Sequence, residues 1–353
     1  MDIMKELESY KPKIDKEIGK ILPKKISNSW VNLVLGKSSY LVDTKTLSEE
    51  VSIPIWDFLS RGGKRWRPVL MLWSCMACGG NEKKAMPFTV LPELVHNGTI
   101  VLDDIQDNAD VRRGKPAMHK LFGIDTAIND GSLLYFSSLP LIYRNLHKLS
   151  DKQRLAIYDL YAEEMLRVSI GQAIDIHWHK SENFDTNEKQ YLQMCIYKTG
   201  VLARFSARLG AILANANQKT IEALGKFGES LGLAFQIQDD ILNVNPKNEN
   251  WGKEIGEDIS EGKKTLLVIY TLKKASVEDR KKLVEILKKH TKDKQEIKQA
   301  INIIKKYGAI DYSLKKARKI VEDSWESVDR ILPETIAKKK LRAFADFCVN
   351  RDI

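Results

Sequence analysis

Apolar residues recur at helical spacing along almost the whole of this 353-residue chain, and they never settle into the alternation of a half-buried strand. That pattern confines the fold to helices packed on helices. The ten prolines mark helix starts and breaks rather than turn-rich loops. Pro54, Pro68 and Pro92 are expected in first turns or at kinks. Pro246 lies in the longest polar interruption, 245–252, which runs on through Lys253, Gly256, Asp258, Gly262 and Lys263. No repeat, low-complexity tract or interdomain linker breaks the pattern. The expectation is one all-α domain over 1–353, a single large helical bundle around a central cavity. Its motif-bearing core covers about 50–272, with Lys-rich outer helices over about 273–353.

Hydrophobic content of 43% and charged content of 29% are those of a globular protein that folds in water. The net charge of +10 is concentrated in the last third, in stretches such as Lys281-Lys282, Lys288-Lys289 and Lys338-Lys339-Lys340. These lysines alternate with apolar residues at helical spacing and read as a solvated outer face. No basic patch is interleaved with aromatics, so a nucleic-acid partner is not expected. Cys75 and Cys78 form a lone C-x-x-C with no second pair to complete a zinc site. Together with Cys195 and Cys348 they fit a reducing, cytoplasmic compartment. The N-terminus lacks the apolar core of a signal peptide, and no apolar run is long enough to span a bilayer.

Two acidic clusters stand out: Asp103-Asp104-Ile105-Gln106-Asp107, and Asp239-Asp240-Ile241-Leu242-Asn243. Each follows an apolar helical run, where carboxylates are costly unless something positive neutralises them. Asp103, Asp104 and Asp107 are expected to project toward a common point about one turn tall. Two such banks facing each other suit Mg²⁺ bridging to a phosphate. A D-D-x-x-D string by itself is more often a solvated face, and its company is what raises it. Arg112-Arg113-Gly114-Lys115-Pro116 follows the first cluster, and Arg61-Gly62-Gly63-Lys64-Arg65-Trp66-Arg67-Pro68 forms a Gly-hinged cationic loop. Guanidinium forks and ammonium groups bind diphosphate oxygens. His96 lies seven residues before Asp103, on the same helix face.

The stretch Glu93–Phe136 resembles the trans-isoprenyl diphosphate synthases, or polyprenyl synthetases. So do GGKRWRP at 62–68, Gly171-Gln172, Lys198-Thr199-Gly200, FQIQDD at 235–240, and Gly252-Lys253 with Glu261-Gly262-Lys263. The resemblance implies an isoprenoid-synthase-type bundle in which three Mg²⁺ hold an allylic diphosphate between the two banks. Asp103, Asp104, Asp107, Asp239 and Asp240 would be the metal ligands and, with Lys198, the catalytic set. Lys64, Arg67, His96 and Arg113 would hold isopentenyl diphosphate. Arg112, Lys198, Thr199, Gln236, Lys253, Lys263, Gln172 and Asp175 would serve the allylic diphosphate. Diphosphate departure leaves an allylic cation, the isopentenyl double bond attacks it head to tail, and a proton is lost. A homodimer is implied as well. His177-Trp178-His179 has nothing nearby to complete a metal site and reads as structural. Asn243 stands where the family often has Asp, and is left out of the metal ligands.

Product length in such enzymes is tied to a tunnel below the first bank. Thr99 and Gly98, one turn before Asp103, carry no aromatic plug, which disfavours arrest at the farnesyl stage. The strings LDDIQDN and AINDG with Tyr135-Phe136 most resemble geranylgeranyl diphosphate synthases, and that resemblance implies a C20 product. A chain of C25 or longer is the main rival. A class I terpene cyclase would need a different second metal motif. A non-catalytic regulatory subunit would be expected to have lost more of these residues.

Overall fold

Several helix starts in this chain are written as side-chain caps. Asp2, Ser27, Asp43, Asn81, Asn187, Thr265, Ser276 and Asp293 each accept a hydrogen bond from a backbone N–H of the first turn, satisfying donors that the helix itself cannot. Asn187 and Gln190 complete a reciprocal capping box. The computed structural model describes residues 1–246 and 255–350. The all-α expectation holds: the sole strand pairing among the described residues is a two-rung antiparallel ladder, Val111 opposite Pro116 and Arg112 opposite Lys115. Arg113 and Gly114, both at positive φ (53° and 74°), make its turn. Pro54, Pro68 and Pro92 all fall in first turns, of Ile53–Ser60, Trp66–Ala77 and Val90–Gln106. Pro12, inside Ile3–Ile21, does not mark a boundary.

The chain divides into two compact units. The first comprises Met1–Tyr161, Ser206–Asn217 and Thr335–Ala337; the second comprises Ala162–Phe205, Gln218–Glu334 and the residues from Lys338 on. In the first, Trp66–Ala77 is buried nearly all round, with Val69, Leu70, Met71, Leu72 and Trp73 fully enclosed. Cys75 belongs to this core as a thiol, and burial pushes its pKa up to about 12. Val90–Gln106 packs along Ile124–Phe136. In the second unit, Gln218–Val244 lies along Ala309–Asp329, where Phe227 and Trp325 meet with ring centroids 5.4 Å apart. The Lys-rich helices Val277–Lys288 and Lys294–Lys306 belong to this second unit and bury Leu283, Ile286, Leu287, Ile303 and Ile304.

Candidate active site

The first acidic bank ends the Val90–Gln106 helix, and helical geometry sorts its members. Neighbours i and i+1 diverge by about 100°, whereas i and i+4 stay within about 40°. Asp103 and Asp107 therefore share the partly exposed face, while Asp104 turns inward and is 0% exposed. The expectation that all three project to one point is corrected accordingly. Arg112 clasps Asp104, its Nε donating to Oδ1 at 2.8 Å with a second bond from Nη2. Burial pushes the Asp104 carboxyl pKa up against the pull of Arg112, and its buried Oδ2 has no partner. Asp104 is placed to hold a guanidinium rather than to offer a metal an open carboxylate.

Beside this bank the first unit gathers cations. Arg65, the positive-φ residue (49°) opening Trp66–Ala77, is buried against Glu93, with Nη1 2.7 Å from Oε1. Asn97 donates to the same Oε1 at 2.7 Å and accepts from Arg113 Nη2 at 3.2 Å. Arg67 Nη1 lies 3.1 Å from His96 Nε2, and the guanidinium carbon of Arg67 sits over the Trp66 ring, 4.2 Å from its centroid. Desolvation first, then the charges of Arg67, Arg113, Arg65 and Arg112, hold the His96 imidazole well below its ordinary pKa, so it is neutral. Desolvation brings Arg113 down to about 10, and its buried Nη1 has no partner. Lys64 is half-buried in the same loop. Crowded guanidinium groups with an unanswered buried N–H fit a phosphate-bearing ligand.

Gly98 does not open onto free space. A Cβ there would lie 2.8 Å from the Gly131 carbonyl oxygen and 3.0 Å from the Tyr135 ring, so the position serves the close approach of two helices. A side chain placed at Gly98 would meet this contact first. Tyr135 fills the space a side chain would need, and burial, with Asp103 nearby, pushes its hydroxyl pKa up to about 12. Thr99 is half-buried, its hydroxyl donating to the His96 carbonyl at 2.7 Å.

In the second unit, Gly171 permits an equally close contact. A Cβ would come within 2.4 Å of the Lys198 backbone nitrogen. The π-helical turn Ile196–Gly200 lies there, projecting Lys198 and Thr199. Lys198 Nζ donates to Asp175 Oδ2 at 2.5 Å, while His179 Nε2 stands 3.4 Å from Oδ1. Thr199 donates to Gln236 Oε1 at 3.1 Å, and Gln236 donates in turn to Asp240 Oδ1 at 2.9 Å. Tyr191 closes the chain, its hydroxyl 2.5 Å from Asp240 Oδ2. Burial, then the charge of Asp258, pushes the Asp240 carboxyl up to about 8. Here too one aspartate is clamped inside, at 4% exposed, while Asp239 stays partly exposed. Asn243 is 2% exposed and anchors the following turn: its Oδ1 accepts from the Asp258 N–H at 3.2 Å and its carbonyl from the Gly256 N–H at 2.9 Å. Lys263 pairs with Glu261 and, at 3.6 Å, with Asp258. Gln172 is half-buried, and Lys253 lies outside the described residues.

Among the described residues no group of three His, Cys, Asp or Glu side chains converges to hold a metal unaided. Mg²⁺ does not require one: it keeps several waters and takes one or two carboxylates together with substrate phosphates. In the first unit Asp103 with Asp107, and separately in the second unit Asp239, are carboxylates of that kind. Sequence reasoning missed Arg65, Glu93, Asn97, Tyr135 and Tyr191. Arg65 stood inside a recognised cationic motif, but Tyr191 is 49 positions from its carboxylate and carries no local signal.

Comparison with known proteins agrees with this chemistry. The family model described as polyprenyl synthetase matches residues 48–304. A geranylgeranyl diphosphate synthase of Sulfolobus acidocaldarius is 33% identical over 297 residues, covering 84% of this chain and 89% of the relative. A geranylfarnesyl diphosphate synthase of Aeropyrum pernix is 33% identical over 317 residues, covering 88% and 98%. The crystal structure of geranylgeranyl pyrophosphate synthetase from Pyrococcus horikoshii matches with a TM-score of 0.84 at 30% identity, over 99% of this chain and 98% of that one.

Proposed function

This chain belongs to the polyprenyl synthetase family, and on that premise we propose that Mg²⁺ and the residues described above let it make geranylgeranyl diphosphate. It is a trans-prenyltransferase, joining isopentenyl diphosphate head to tail to an allylic diphosphate. Geranylgeranyl diphosphate is the product named most often among its relatives. A geranylfarnesyl product is the second reading, favoured by the Aeropyrum relative.

The observation that carries the assignment of roles is the cationic cluster of Arg67, Arg113 and neutral His96 beside the partly exposed pair Asp103 and Asp107. Arg67, Arg113, His96 and Lys64 grip the diphosphate of isopentenyl diphosphate. The neutral imidazole keeps one ring nitrogen as donor without adding charge to a crowded site. Asp103 and Asp107, and likewise Asp239, would hold Mg²⁺; the resemblance implies three ions. A metal held there would supply positive charge to a departing diphosphate. Asp104 keeps Arg112 aimed, and Asp240 does the same for Gln236, which orients Thr199. Arg112, Lys198, Lys253 and Lys263, with Gln172, Asp175, Thr199 and Gln236, serve the allylic diphosphate. The four cysteines are free thiols, in keeping with a reducing cytoplasm.

Incubation of the purified protein with isopentenyl diphosphate, each allylic primer and Mg²⁺, followed by chromatographic sizing, tests this reading. A C20 product that disappears on chelation is expected. No prenyl transfer with any primer overturns the assignment, and a C25 product replaces the first reading with the second.

A further inference from the structure

The net charge of +10 is unevenly distributed. Residues 273–306 hold twelve Lys and Arg against five Asp and Glu, a surplus of seven. The segment is built as two packed helices, Val277–Lys288 and Lys294–Lys306, each burying one apolar stripe in the second unit. Lys294, Lys298 and Lys305 fall within about 40° of one another and all three are exposed, beside the edge of the buried stripe at Ile301. Lys281 and Lys288, seven apart, share an exposed side of the other.

Some of these charges are answered. Lys289 pairs with Glu285 and Glu296, Lys288 with Glu182, and Lys306 with Asp279. Lys281, Lys292, Lys294, Lys298 and Lys305 make no side-chain hydrogen bond or ion pair among the described residues, and all five are exposed. Five unanswered ammonium groups on one helical pair repel each other, and an external anionic surface relieves that repulsion. Val277, 88% exposed at the start of its helix, stands between Lys273-Lys274 and Arg280-Lys281.

We propose that the exposed face of these two helices docks on anionic lipid headgroups, so that the enzyme works at a membrane surface. Clusters of four to eight Lys and Arg on amphipathic helices attract acidic lipids, and the attraction falls off within a Debye length. Residues 273–306 carry no Phe, Tyr or Trp on which bases would stack, which favours lipid over single-stranded nucleic acid. The choice of lipid also rests on the proposed function, because a prenyl diphosphate is an amphiphile whose tail leaves water for a bilayer.

The test is co-sedimentation of the full-length protein with phosphatidylcholine vesicles, plain or containing about 30 mol % phosphatidylglycerol. Salt is set at about 0.05 M and about 0.5 M. Prenyl transfer is assayed on the same preparations. Binding at least about tenfold stronger to the acidic vesicles, and lost at high salt, is expected. The variant Lys281→Gln/Lys292→Gln/Lys294→Gln/Lys298→Gln/Lys305→Gln should lose that preference while turning over normally in solution. Equal partition into both vesicle types, undiminished binding by the variant, or competition by RNA in place of lipid overturns the proposal. Protein that turns over but ignores acidic vesicles sinks the membrane inference alone. Protein that binds them without transferring a prenyl group sinks the catalytic reading alone.

Discussion

At the scale of single residues, each acidic bank divides its labour by direction. Asp103 and Asp107 keep an open side, whereas Asp104 is enclosed with Arg112 on its Oδ1. Asp103→Ala and Asp107→Ala should each cut turnover by about two orders of magnitude or more and shift its dependence on Mg²⁺ to higher concentration. Asp104→Asn should also slow the enzyme, through a misaimed Arg112, while leaving the Mg²⁺ midpoint in place. A Mg²⁺ midpoint that moves equally in all three variants would remove the distinction. Residue 98 supplies a second case. Phe in place of Gly98 must displace the Gly131 carbonyl or the Tyr135 ring, so the variant should lose stability, by about 1–3 kcal/mol, rather than trim the product. Tyr135→Ala, by emptying the ring's volume beside Asp103, should lengthen the product. Chromatography showing shorter chains from a fully stable Gly98→Phe would restore the tunnel reading. The sequence displayed both banks but not the inward turn of Asp104, because which side of a helix is buried depends on its neighbours and not on its own spacing.

At the scale of helices, several glycines and prolines recorded boundaries and close contacts, though Pro12 sits inside a helix. Pro54, Pro68 and Pro92 all open helices as their spacing predicts. The π-helical turn carrying Lys198 was illegible, since it arises where Gly171 lets another helix crowd in. A further helix-scale device is Asp130 in Ile124–Phe136, 0% exposed and supported by a single 3.2 Å bond from Asn129. Its other carboxyl oxygen has no partner, and burial pushes its pKa up to about 7 from the ordinary 3.8. The folded protein therefore keeps a proton that the unfolded chain releases near pH 4. Stability from this group is complete below about pH 4, is lost as pH rises toward 7, and changes little beyond. The gap of about 3 units corresponds to about 4 kcal/mol over that window. Asp130→Asn, neutral and of the same shape, should flatten the fall in melting temperature between pH 5 and pH 8. Parallel pH profiles for the two proteins would show that Asp130 carries no such burden.

At the scale of the molecule, the apolar residues left in water matter most. Ile124 and Ile128, 58% and 48% exposed, lie four apart on one helix. Leu155, Leu166 and Ile170, at 64%, 63% and 43%, fall within about 60° along Asp151–Lys180. Single exposed leucines are ordinary, but stripes of them mark surfaces that another protein covers. A second copy of the same chain is the simplest cover for either stripe, since a two-fold interface needs only one self-complementary patch. Light scattering should return twice the 40.3 kDa chain mass. Ile128→Asp/Leu166→Asp should shift the protein toward a monomer, because a carboxylate buried at an apolar contact without a partner is strongly unfavourable. If the variant folds, as judged by circular dichroism, and still weighs as a dimer, these stripes are not the interface. If the unaltered protein is monomeric at the concentrations used for catalysis, no dimer is needed for prenyl transfer and the stripes require another partner.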